Sequence, residues 1–190
     1  MVIVALALGL ALAIQAWLVK PYQIPSESME PTLDVGQRVL VNRFQYHFAD
    51  PGIGDIVVFH PPGGADNGTE CGAEHGPRQA CAAPTEGRSD QNFIKRIVAG
   101  PGDRLSIRNG HPVVNGVEKT DEPYAEFGRC VGSSVCNLPK TITIPPDHWF
   151  MMGDNRGASQ DSRFWGPVPR DWIIGKAFAT YWPPDRIGIF

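Results

Sequence analysis

The sequence contains no G-x-S-x-G elbow, no H-E-x-x-H pair and no phosphate-binding glycine loop. It therefore lacks the local signatures of α/β-hydrolases, zinc metallopeptidases and P-loop enzymes. Its histidines, His47, His60, His75, His111 and His148, are scattered without ligand spacing or a partnered acid. Neither a metal centre nor a histidine-based serine triad is expected from them. Neither sign of charge dominates: 17 Lys+Arg face 20 Asp+Glu, a formal charge of −3, and there is no basic run. Nucleic acid is accordingly not an expected partner. Internal repeats are not evident, and beyond residue 19 no segment reads as a helix.

What is abundant points elsewhere. The 21 Gly and 18 Pro exceed average usage, and with Val/Ile-rich runs between them they indicate many short strands joined by turns. Residues 1–19, MVIVALALGLALAIQAWLV, carry no charged side chain, and at roughly 1.5 Å per helical residue they would span about 28 Å, close to a bilayer's hydrocarbon thickness. This segment is expected to be one transmembrane anchor, with Trp17, Tyr22 and Lys20 at the headgroup level. A cleaved signal peptide is the alternative, but there is no basic n-region and the apolar part is long for one. Lys20, Arg38 and Arg43 follow the span, and counted literally they would place the body in the cytoplasm. The cysteines argue the other way. Cys71 and Cys81 flank one short loop and Cys130 and Cys136 another, so two local disulfides in an oxidising, extracytoplasmic compartment are the simplest reading. A four-cysteine zinc site is the alternative, against which neither spacing is C-x2-C or C-x4-C.

Past the anchor, residues 20–190 are expected to form one all-β domain. GQRVLVNRF (36–44), GDIVVF (54–59), FIKRIVA (93–99), TITI (141–144), HWFMM (148–152) and IIGKAFATYW (173–182) read as strands. DRLSIRNGHPVVNGVEK reads as a hairpin meander turning at its two Asn-Gly pairs. Residues 60–92 show no apolar periodicity and are expected to be a surface loop insertion stapled by Cys71 and Cys81.

Three segments carry possible chemistry. IPSESMEPTL (24–33) sets two serines between prolines just past the apolar stretch; taken alone it could be a linker. A serine nucleophile can be activated by a neutral lysine within hydrogen-bond reach. In FIKRIVA the period of two puts Lys95 on the face of Phe93 and Ile97, where apolar surroundings would lower its pKa, and turns Arg96 to the other face, towards a carboxylate. The competing reading of Lys95 is an edge-strand lysine that blocks aggregation. GDNRGASQDSRFWGPVP (153–169) crowds acids, bases and serines together, which suits either a solvated turn or a rigid ion-paired loop that holds a site in shape.

In their order, IPSESMEPTL, GDIVVF, FIKRIVAGPGD and GDNRGASQDSRFWG resemble the bacterial type I signal peptidases, membrane-anchored serine proteases with a Ser/Lys dyad. The resemblance runs from the apolar segment through GKAFATYWP and leaves out mainly 60–92 and 120–140. It implies antiparallel sheets with a β-rich insertion, Ser28 as nucleophile and Lys95 as general base. It further implies a Ser26 hydroxyl that joins the Ser28 N–H in an oxyanion hole, and Ser159 as the residue that orients the lysine. Asp154 with Arg96, and Asp161 with Arg163, match ion pairs that brace such a site. Ile24, Pro25, Met29, Leu33, Phe93 and Ile94 fall where the family lines its substrate pockets. Glu27, Gly157 and Ala158 depart from the commoner residues at their places, none of them assigned to catalysis.

The function so implied is removal of signal peptides from exported preproteins after a small-x-small site, at the plasma membrane, without metal or organic cofactor. The lipid bilayer and signal-peptide-bearing preproteins are the expected partners. Two rivals stand beside it: a pilin or conjugation peptidase with the same dyad and a dedicated substrate, and a catalytically silent, membrane-tethered β module that binds extracellular partners.

Overall fold

The computed structural model describes residues 4, 6, 9, 18–65, 71–120, 124, 130 and 134–190. The expected anchor lies almost wholly outside the described residues, among which no helix is long and apolar enough to cross a membrane.

Two antiparallel sheets make up the body. The larger has eight strands: β1 (Val19–Gln23), β2 (Arg38–Asn42), β3 (Ile56–Phe59), β4 (Phe93–Ala99), β9 (His148–Met152), β10 (Val168–Pro169), β11 (Ile173–Trp182) and β12 (Gly188–Ile189). They run in the order β1-β2-β11-β3-β4-β9-β10, with β12 on the far part of β11. The smaller, β7 (Val117–Glu118), β6 (His111–Val114), β5 (Arg104–Arg108) and β8 (Leu138–Thr143) in that order, is inserted between β4 and β9 and is the β-rich insertion expected from the sequence. Its hairpins turn where the Asn-Gly pairs require: Asn109, Gly110, Asn115 and Gly116 all have positive φ, the conformation of a type I′ turn.

The central strands are apolar on both faces because both faces are covered. In β3, Ile56 and Val58 enter a core with Ile24, Met29, Leu33, Val39 and Val41. Val57 and Phe59 point the other way, into a core with Ile97, Trp149, Met151 and Trp165. A third core, with Val98, Leu105, Ile107, Ile142 and Phe150, joins the two sheets.

Three expectations need correction. Val19 belongs to β1 and not to the anchor: Val19–Gln23 pairs antiparallel with β2, Val19 opposite Asn42 and Gln23 opposite Arg38. The edge of the sheet offers hydrogen bonds that this stretch cannot obtain as a tether. The loop at 60–92 is partly packed: Ala65, Ala80 and Cys81 are buried, and the Cys81 N–H donates to Arg163 O. Nor is the chain beyond residue 19 without helix, since Ser162–Trp165 makes one α-helical turn.

Candidate active site

Ser28 sits in a 3-10 turn, Glu27–Met29, entered from an extended Ser26. The turn is pinned from below, because Met29 and Leu33 are fully buried and the Leu33 N–H donates to Met29 O. This corrects the expectation that Met29 and Leu33 line a substrate pocket: both belong to the core under the site. Their placement fixes the height of the serine; it does not shape what lies above it.

Lys95 comes from the middle of β4, opposite Val57 of β3. It is 4% exposed, and its Nζ donates a 2.6 Å hydrogen bond to Ser28 Oγ. Burial pushes its pKa from 10.5 down to about 8; Asp161 and Asp154 pull the other way and Arg163 adds to the lowering. Desolvation wins because each of those carboxylates is already paired with an arginine. The Nζ also lies 5.7 Å from the centre of the Phe93 ring, on the face assigned to it by strand alternation. Ser26 Oγ is 3.1 Å from Ser28 Oγ, so the three polar groups converge on one point.

The segment after β9 closes the site. In the β4–β9 register Arg96 faces Met152, so Gly153, Asp154 and Asn155 leave β9 alongside Lys95 and Arg96. Asp154 accepts from Arg96 Nε at 2.8 Å, from Arg96 Nη2 at 2.7 Å and from Thr32 Oγ1 at 2.6 Å. One carboxylate thereby ties β4 to the segment that follows Ser28. Asp161 caps the Ser162–Trp165 turn. Its carboxylate accepts from Arg163 Nε and Nη2 at 2.8 and 2.9 Å and from the Gly153 N–H at 3.0 Å. Its burial would raise its pKa, but the Arg163 guanidinium and the Gly153 N–H hold it below the usual carboxylate range. Both ion pairs expected from the sequence are therefore formed, and both are buried on the acid side.

Ser159 is buried beside them, its side chain close enough to the Asp161 carboxylate to help hold that acid's pKa down, and no hydrogen bond joins its Oγ to Lys95. Ile24, Pro25, Phe93 and Ile94 do line a cleft of about 350 Å³ together with Ser26, Ser28 and Lys95. Tyr22, Gln91 and Gln160 also line it, none of which the sequence had assigned to a substrate cleft.

Two further residues escaped sequence reasoning. Asn155 donates from its backbone N–H to Ser28 O and from Nδ2 to Glu27 O, both at 3.2 Å, and so holds two of the three carbonyls of the turn that carries Ser28. At Gly153 an added Cβ would overlap Ser28 O and Ser159 Oγ. Only the glycine after a strand ending in HWFMM hinted at it.

Among the described residues no histidine bonds to Ser28: the nearest ring-nitrogen partners of His60, His111 and His148 are the carbonyls of Gln91, Lys119 and Pro146. Cys71–Cys81 and Cys130–Cys136 are both disulfides. The second touches the site's frame, with Arg163 Nη1 3.4 Å from Cys130 Sγ.

An activated serine, a buried lysine of lowered pKa and hydroxyl and amide donors at one cleft can perform nucleophilic acyl transfer. Comparison with known proteins agrees. Residues 1–182 match the family described as signal peptidase, peptidase S26. The signal peptidase I of Leptolyngbya laminosa is 36% identical over 185 residues, 97% of this chain and 79% of that protein. The probable signal peptidase I-1 of a Synechocystis strain is 37% identical over 96% of this chain and 81% of its own length. The signal peptidase IB of Staphylococcus aureus is 30% identical over 95% of this chain and 86% of its own length.

Proposed function

The chain belongs to the signal peptidase family, peptidase S26, and is a serine endopeptidase of the signal peptidase I kind; we propose that Ser28 and Lys95 are its catalytic dyad. The observation that carries this reading is the 2.6 Å contact between Lys95 Nζ and Ser28 Oγ, made by a lysine whose pKa is lowered to about 8.

In the neutral form Lys95 accepts the Ser28 proton as Oγ attacks the scissile carbonyl carbon. The Ser28 N–H and the Ser26 hydroxyl donate to the oxygen on which charge develops, donors whose individual loss costs about 10²–10³ in rate. The Lys95 ammonium then protonates the departing amine, leaving Ser28 acylated by the signal peptide. Water enters, gives its proton to Lys95 and attacks the ester carbonyl; Lys95 passes that proton to Ser28 Oγ as the acyl C–O bond breaks, so the carboxylic acid product leaves and both residues are restored. Ser159, whose buried hydroxyl makes no hydrogen bond to Lys95 here, orients the lysine once the amine is neutral and free to rotate.

Location follows from chain length. Ser28 is eight residues beyond Lys20, so at no more than about 3.6 Å per residue it stays within roughly 29 Å of the end of the apolar segment. With residues 1–18 as anchor, the cleft is held near the bilayer surface, the height at which a secretory precursor exposes its cut site. The two disulfides support an extracytoplasmic body on the plasma membrane. Incubating purified full-length protein with a preprotein and sequencing the new N-terminus tests the reading; a preprotein left intact would refute it.

A further inference from the structure

Where β1 begins and β2 ends lies a second groove, of about 560 Å³, with Leu18, Arg43, Phe44, His47, His60 and Arg88 in its wall. None of these belongs to the catalytic cleft. Arg43 and Arg88 are exposed, and neither makes a salt bridge or side-chain hydrogen bond among the described residues. Asp171 is the single carboxylate of the rim, so two guanidiniums outweigh it. The base of the 60–92 insertion brings Arg88 there: Pro62 bridges to Arg88, and the Ser89 N–H donates to Pro61 O.

Beside the groove, Phe44 is 45% and Phe48 77% exposed. Their rings meet edge to face with centroids 4.8 Å apart, so two large aromatics face solvent as one patch. The place in the chain matters as much as the composition. Leu18 O accepts from the Arg43 N–H, and residues 1–17, uncharged throughout, join the body at this point.

We propose that this groove and the aromatic pair seat an anionic phospholipid of the membrane's outer leaflet. Its phosphate lies between Arg43 and Arg88, with the imidazole of His47 as a further donor, and its glycerol and first acyl carbons rest against Phe44 and Phe48. The occupant is a membrane lipid and not a free phosphate ester, because the cationic groove adjoins an apolar patch exactly at the point where the chain enters the apolar segment, and a soluble phosphate would have no use for Phe48. The proposal rests on that segment being a membrane anchor. Its consequence is an orientation: the body docks on one face, and does not swing about Leu18.

The test uses the full chain with p-benzoylphenylalanine in place of Phe48, in nanodiscs of phosphatidylcholine mixed with phosphatidylglycerol. Lipid adducts formed on illumination are identified by mass spectrometry. A basic side chain near an anionic leaflet contributes about fivefold to binding, so phosphatidylglycerol should be enriched over its mole fraction by about fivefold or more. Arg43→Gln with Arg88→Gln should abolish the enrichment while cleavage of a short soluble peptide is unchanged. Adducts in proportion to lipid mole fraction, or no adduct from chains that are embedded, would overturn the proposal. Loss of enrichment on adding glycerol phosphate at the same headgroup concentration would overturn the assignment to a membrane lipid. A chain that fails to enter nanodiscs at all would instead overturn the anchor reading, and the proposal with it.

Discussion

Lys95 Nζ donates to Ser28 Oγ across 67 residues of sequence, from the middle of a strand to a turn at the edge of the cleft. The two parts are held in register by groups that take no part in the chemistry. Asp154 joins Arg96, next to the lysine, to Thr32, just past the serine, and Asn155 fixes the serine's own carbonyl. The dyad is thus a property of the segment after β9 as much as of the two residues in it.

Removal of either dyad member should abolish turnover without unfolding the chain. Ser28→Ala and Lys95→Ala are each expected to lower kcat by about 10⁴–10⁶-fold. His148→Ala, whose Nδ1 faces only Pro146 O, should leave it unchanged. Single-turnover cleavage by purified variants, with circular dichroism as a check on folding, measures this. Substantial activity in Lys95→Ala would end the dyad assignment.

Activity should follow the neutral form of Lys95. With its pKa lowered to about 8, kcat/KM is expected to rise tenfold per pH unit below that value and level off above it. Ser28→Cys, if active, should show a different limb, because its thiol titrates on its own. A profile flat from pH 6 to 9 would count against a lysine base.

The same shift makes a stability claim. The folded chain holds Lys95 at about 8 against 10.5 for the unfolded one, so between those values the unfolded state binds more protons and stability rises with pH. Below about pH 8 the buried ammonium carries its full cost, on the order of 3 kcal/mol. Lys95→Met should accordingly be more stable than the parent at pH 7, with the advantage fading above about pH 10.5. Urea titrations at the two pH values test the sign.

How far this architecture could be read in advance differs from element to element. FIKRIVA and HWFMM are strands over their full predicted lengths, and the Asn-Gly turns fall where their backbone preference puts them. Local pattern sufficed there because strand and turn are local. Val19–Gln23 was hidden because VKPYQ continues an apolar run and contains a proline. It becomes a strand only through β2, a partner that sequence spacing does not display. Met29 and Leu33 sit in a polar, proline-rich stretch that carries no burial period, so nothing local separates a core residue from a pocket wall. The ion pairs Arg96–Asp154 and Arg163–Asp161 were legible through family resemblance; Asn155 and Gly153, which act on the backbone of the turn around Ser28, were not.

Gly153→Ala should damage the site more than the fold. The new Cβ would meet Ser28 O and Ser159 Oγ, and relief requires the nucleophile's turn to shift. A displacement of about 1 Å typically costs on the order of 10²-fold in rate, whereas the strain itself is about 1–3 kcal/mol. Turnover at saturating substrate and thermal unfolding, measured side by side, separate the two. Activity near the parent's would show that the turn can give way.

Substrate choice follows from which apolar residues reach the cleft. An extended peptide can add to a sheet edge, so that alternate side chains face the enzyme. The residue before the cut and the one two positions earlier should then be selected, and the one between them free. Ile24, Pro25, Phe93 and Ile94 give a small, apolar cleft of about 350 Å³; Ala, Gly or Ser should fit, and Phe or Arg should clash or lose solvation. Proline just after the cut should block reaction, since it lacks the N–H of a strand-like substrate. The two kinds of apolar residue should part company under mutation. Ile24→Ala, in the cleft wall, should admit larger residues at a selected position. Met29→Ala, wholly buried beneath Ser28, should cost about 2–5 kcal/mol of stability and leave the order of preference as it was. A library of preprotein cut sites assayed with both variants would decide. Equal cleavage after bulky and small residues by the parent enzyme would refute the pocket, and a specificity change confined to Met29→Ala would restore that residue to the substrate's surroundings.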